Sequence, residues 1–203
     1  MQPYPTTRCS QLEEPAAEPV TLAEAKAHIR VDNDDSNTLI TALIVAARQF
    51  VESFSGRTLA QRSYTQTMEY FPDSGKDIVL RRSPVKSVTS VKYFDSTGAD
   101  ITMVVGTDYR VDTTVIPARI RLPVASNTTG ALWVRGFAAD DCVRIVYLAG
   151  ADNVPTAAKQ TILLLVGHWF ENRESVTVGA TSKVVDQTVN ALMDSYRIAD
   201  VAL

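Results

Sequence analysis

The chain has 203 residues, 45% of them hydrophobic and 21% charged, which suits a globular protein able to bury a core as one or two domains. A formal net charge of -3 excludes a global basic field for nucleic acid or anionic membrane and leaves only a local patch open. Cys9 and Cys142 form no CxxC or Cys/His cluster for zinc and fit a reduced, cytosolic protein. With no signal-like start and no apolar run long enough to span a bilayer, a soluble, non-exported chain is expected.

Residues 1–19 hold four prolines, two short acidic groups and few large apolar side chains, which predicts a flexible N-terminal arm. At TLAE the pattern changes: Thr21 can accept the N–H of Glu24 while Glu24 reaches back, a capping box. Leu22, Ala25 and Ile29 then share one face of a helix too short to persist alone.

The stretch AHIRVDNDDSNTLI follows. Asp32, Asp34 and Ser36 fit the first ligand places of a calcium loop, but Asn37 stands where the tight-turn Gly is needed and Leu43 where the bidentate Glu is needed. No metal site is expected there. Asp34 and Asp35 are expected instead to cap the next helix, so that Leu22 and Ile29 fold back onto a stripe of Leu39, Leu43 and Phe50.

That next helix, residues 36–55, carries Leu39, Ile40, Leu43, Ile44, Ala47, Phe50, Val51 and Phe54 at three- and four-residue spacing. Gly56 is its expected C-cap, with Arg57 beside the negative end of the dipole. From residue 63 the period changes to two. YTQTMEY, DIVLR, SVTSVKYF, ITMVV, DYRVD, ARIRL, ALWVR and CVRIVYL are short runs separated by turn clusters such as PDSGKD and DSTGAD, and they predict up to eight antiparallel strands.

Helical period returns after Gly150, with Asp152 or Asn153 as cap, Pro155 in the first turn and Ala158, Ile162, Leu165, Val166, Trp169 and Phe170 on one face up to Arg173. A polar connector leads to TVNALMDSYRI, a short amphipathic helix with Val189, Leu192, Met193 and Tyr196 on one side. The predicted class is α+β: a small bundle of N- and C-terminal helices (20–62 and 150–174) interrupted by an inserted antiparallel β domain (63–149), then a mobile connector and docking helix (175–203).

Chemistry is sparse. No GxSxG, P-loop, GxGxxG or HExxH occurs; His28 and His168 each lie within a helix without a second ligand at metal spacing, and Asp140-Asp141 reads as a solvated turn. No catalytic residue, metal or cofactor is predicted. Arg110, Arg119 and Arg121 alternate within presumed strands and are the candidates for a phosphate-facing stripe, in a β domain with a surplus of one basic charge.

The stretch PVTLAEAKAHIRVDNDDSNTLITALIVAARQFVESFSGRTL resembles the N-terminal signature of the head-tail connector (adaptor, or head-completion) proteins of long-tailed bacteriophages. Thr21, Glu24, Ala25, Lys26, His28, Ile29, Arg30, Val31 and Asp32 match its first helix, and Ala46, Ala47, Arg48, Gly56, Arg57 and Leu59 its second. Phe170, Glu171 and Arg173, then Leu192, Met193, Tyr196 and Arg197, are similar to the family's later elements.

The resemblance implies assembly rather than catalysis. It implies a homo-oligomeric ring of about twelve subunits beneath the portal protein, closed head to tail. The ring extends the DNA channel without sequence-specific binding and offers a platform for a stopper or tail-completion protein. It implies a protein made in the host cytoplasm that ends in the virion neck, with no membrane partner. It also makes Val189, Leu192, Met193, Tyr196 and Arg197 candidates for portal docking, the alternative being packing within the subunit. Other readings are another neck protein, a stopper or tail terminator, and a small enzyme with a β-lined pocket.

Overall fold

A computed structural model of the chain describes residues 5–123, 133, 141–172, 188–189, 191–194 and 196–198. It contains helices and antiparallel sheets, an α+β protein, and divides into two compact units: Met1–Glu14 with Gln61–Gly150, and Pro15–Ala60 with Ala151–Leu203.

In the first unit, five strands form one sheet in the order β1-β2-β8-β4-β5: β1 Thr7–Gln11, β2 Arg62–Met68, β4 Val85–Phe94, β5 Asp100–Thr102 and β8 Val143–Ala149. A second sheet orders β3 Ile78–Val79, β7 Arg119–Arg121 and β6 Arg110–Asp112. Strict alternation buries Tyr64 and Met68 of β2 and Val143, Ile145, Tyr147 and Ala149 of β8 on one face. These join Ile78 and Ile120 of the smaller sheet in a single cluster, to which Phe71 and Trp133 add a stacked ring pair at 5.2 Å. Buried Gln66 links the sheets, donating to the Val79 carbonyl at 2.9 Å and accepting the Arg81 N–H at 3.0 Å.

The expected flexible arm is corrected at β1. Thr7–Gln11 pairs antiparallel with β2, from Thr7 opposite Met68 to Gln11 opposite Tyr64. A proline- and acid-rich composition cannot build a core, but a strand edge asks only for backbone hydrogen bonds, and TRCSQ supplies a proline-free run. The arm's other end is held too: Val20 is buried in the helical unit and Glu18 accepts from Arg48 at 2.7 Å. The predicted strand ALWVR and the connector before Thr188 lie outside the described residues, apart from Trp133.

In the second unit, α1 (Leu22–Ile29), α2 (Asn37–Ser55) and α3 (Thr156–Glu171) pack around Ala25, Ile40, Ile44, Ala47, Val51, Ala158, Ile162, Leu165 and Val166. The backbone is helical again at Thr188, Val189 and Ala191–Met193. Helix α1 opens with the capping box, Glu24 N–H to Thr21 Oγ1 at 3.2 Å and Thr21 N–H to Glu24 Oε2 at 2.7 Å, and ends on Arg30 in the left-handed conformation.

The expectation for α2 needs two corrections. Its first residue receives no side-chain cap: the Asn37 N–H bonds to the Asp34 backbone carbonyl at 3.1 Å, and Asp35 is exposed. Asp34 instead uses its carboxylate to join two helices, accepting from Lys26 of α1 and Asn37 of α2, both at 2.9 Å. Nor do Leu39 and Phe50 lie under α1. Both are exposed, because Ile40, Ile44, Ala47 and Val51 claim the inner face, while Leu43, like Leu22 and Ile29, is partly buried against that core.

Candidate functional site

The matched signature residues of α2 build a clasp. Arg48, buried among aliphatic side chains, donates through Nε to Glu18 at 2.7 Å and through Nη1 to Glu52 at 2.9 Å. The other oxygen of Glu52 accepts the N–H groups of Leu59 at 2.7 Å and Ala60 at 3.3 Å, so the chain leaving the helix is tied to a charge inside it. Gly56 makes the reversal at φ 69, a conformation that costs a residue with a Cβ.

Arg57 then grips the C-terminal segment. Its Nε donates to the Tyr196 carbonyl at 2.7 Å, its guanidinium lies 4.6 Å from the centre of the Tyr196 ring, and the Ile198 N–H bonds to the Ser55 carbonyl at 2.9 Å. Burial pushes the Tyr196 hydroxyl up from its ordinary value, opposed by the Arg57 charge. Sequence spacing pointed to Arg57 only as a dipole partner. The i,i+4 pair Arg48 and Glu52 within an apolar face was the available signal for the buried network.

This clasp decides how the five portal-docking candidates stand. Val189 and Met193 are buried in the helical core, and Tyr196 is half-buried under Arg57, so packing within the subunit claims these three. Leu192, half-buried, and Arg197, exposed and 5.6 Å from the Phe54 ring centre, remain at the surface.

The basic candidates lie on β6 and β7, and two of them have internal partners. Asp77 accepts from Arg119 at 3.3 Å and from Arg121 at 2.9 Å, and Asp112 accepts from Arg121 at 2.8 Å. Hydrogen bonds from Thr114 hold the Asp112 carboxyl below the ordinary range, helped by both arginines. Arg110 is exposed, opposite Arg121 in the strand register, and with it lines a shallow pocket that includes Thr113 and Thr114.

Among the described residues no group of three His, Cys, Asp or Glu side chains is placed to hold a metal ion, and no helix is long and apolar enough to cross a membrane. His28 packs against Gly167 of α3, and the His168 carbonyl accepts the Asn172 N–H at the end of that helix. Asp141 is exposed and Asp140 lies outside the described residues. Both cysteines are free thiols; Cys9 Sγ lies 3.5 Å from the Tyr147 hydroxyl, whose ionisation burial opposes first, with Cys9 adding to it.

Three solved structures share this fold. A chain from the neck of an empty gene transfer agent (GTA) particle, computed with C6 symmetry, matches at a TM-score of 0.76 and 19% identity, over 96% of this chain and 97% of that one. A chain of the native GTA virion matches at 0.73 and 17%, over 95% and 96%. One from the neck of the native GTA particle, computed with C12 symmetry, matches at 0.64 and 19%, over 96% and 97%. No curated protein matches the chain significantly. The head completion protein family model matches residues 19–199. Apart from β1 and Glu18, the clasp, helices and strands fall within that span, and the chain therefore belongs to the head completion protein family, a family of structural proteins and not of enzymes.

Proposed function

We propose that the chain is the head-tail connector of a tailed phage or phage-like particle. About twelve copies form a ring beneath the portal, extend the DNA channel and present the platform on which a stopper or tail-completion protein docks. The observation that carries this reading is the likeness over 96% of the chain to subunits of GTA necks, one of them computed with C12 symmetry. The residues suit such a role. The helices share one core and a buried polar clasp, and the C-terminal segment is pinned by Arg57 with Arg197 exposed and Leu192 half-buried.

In this reading the interrupted helical unit is the assembly part and the β unit an insert. Leu192 and Arg197 face the portal, while Arg110 is the cation available to DNA phosphates, which it would hold without reading sequence. Deleting the gene tests the role. DNA-filled heads without tails are expected, made competent for tail joining by the purified protein; tailed particles formed in its absence would refute the reading.

A further inference from the structure

Helix α2 carries two charged residues in its 19, Arg48 and Glu52, and both are buried. Its outer face (Thr38, Leu39, Ala42, Ala46, Gln49 and Phe50) is therefore neutral throughout. A helix facing water ordinarily carries charge on that side, whereas the centre of a protein interface is depleted of it. Leu39 is 37% exposed and Phe50 44%. With Ala42 and Ala46 between these larger side chains, the face forms a shallow trough about 16 Å long. Phe50 is a held wall of it, stacked on Phe54 at 6.4 Å and set edge-on to Trp169 at 6.3 Å.

The β unit of the same chain presents a knob. ITMVVGT, residues 101–107, leaves Ile101 36%, Val104 57% and Val105 64% exposed. The carboxylates that flank it are engaged: Asp100 with Arg144 at 2.9 Å and Lys92 at 3.7 Å, and Asp108 as acceptor of the Val104 N–H at 2.7 Å. The turn is closed by the Asp108 N–H to the Val104 carbonyl at 2.8 Å and the Gly106 N–H to the Tyr109 carbonyl at 2.7 Å. Residues 101–107 are themselves uncharged, and the turn is already fixed in shape by these hydrogen bonds, so little ordering remains for association to impose.

A head-to-tail ring requires two unlike, complementary faces on each chain. We propose that the outer face of α2 in one copy receives the Ile101–Thr107 turn of the next, an inference that rests on the ring reading above. The pairing is consistent in charge, since neither face offers a charge for the other to bury unpaired, and the turn holds the two most exposed valines of the described residues, Val104 and Val105.

The test uses the full chain assembled on its cognate portal ring, with photoreactive benzoylphenylalanine replacing Phe50 and equal parts of 15N-labelled and unlabelled protein. Mixed-isotope cross-links from position 50 to residues 101–107 are expected. Cross-links elsewhere in a ring that has formed, or to the portal alone, overturn the pairing and leave the ring reading standing; no ring at all overturns both. As a second arm, Val105→Asp should lower ring occupancy at least about tenfold with an unchanged melting temperature, because Val105 is exposed in the subunit. Occupancy equal to wild type contradicts the proposal.

Discussion

Arg48 Nη1 donates to Glu52 Oε2 at 2.9 Å within α2, the arginine side chain 1% and the glutamate 6% exposed. A pair so enclosed is expensive to break from one side, because the remaining charge loses its partner where water cannot replace it. Arg48→Met is therefore expected to destabilise the protein by about 3–5 kcal/mol in urea unfolding. Adding Glu52→Gln removes the stranded charge while keeping an oxygen for the Leu59 N–H, so the double variant should recover part of that loss. Simple additivity of the two single losses would show that the pair does not act as a unit.

Gly167 lies within α3, and a Cβ there would meet His28 Cδ2 and Nε2 at 3.6 Å and Ile29 Cγ2 at 3.8 Å, ordinary contact distances. Gly167→Ala should then raise stability by about 0.5–1 kcal/mol through helix propensity. A drop in melting temperature would mean that α1 and α3 approach more closely than these distances.

Asp34 ties α1 to α2, and the hydrogen bond from Lys26 is the main cause holding its carboxyl below the ordinary range, followed by that from Asn37. Glu24 is held low chiefly by the Thr21 backbone N–H. A lowered folded-state value means stabilisation that is full above the unfolded carboxylate range, about pH 4 to 5, and lost as pH falls through the folded value. The melting temperature of Asp34→Asn should accordingly lie slightly below wild type at pH 7, and the gap should close as pH falls below the ordinary aspartate range. A gap that persists in acid would assign the effect to shape rather than charge.

Arg57→Ala removes both the hydrogen bond to the Tyr196 carbonyl and the cation over its ring. Limited proteolysis near the C-terminus should speed up several-fold while the β unit stays protected, and portal attachment should weaken with it. Arg197→Glu, at an exposed position, should weaken attachment with no change in proteolysis.

The elements legible in the sequence were those with a strong period. Helix α2 and the alternating strands β2 and β8 declare themselves because each presents one face to a core. Strand β1 was hidden, since its order comes from the edge of β2 rather than from its own apolar content. Leu39 and Phe50 were misplaced because α2 is apolar on two sides, and periodicity cannot tell which side the subunit covers. The clasp was half legible: Gly56 and Arg57 mark a helix end, but that Glu52 receives the following backbone, and that Arg57 reaches Tyr196 139 residues away, depends on tertiary placement.

Native mass spectrometry of the full chain mixed with its cognate portal ring, with the chain alone as control, tests the connector reading most directly. The account predicts one discrete addition of about twelve copies to each portal, matching the C12 order of the similar neck. A portal mass unchanged at near-physiological salt would contradict it.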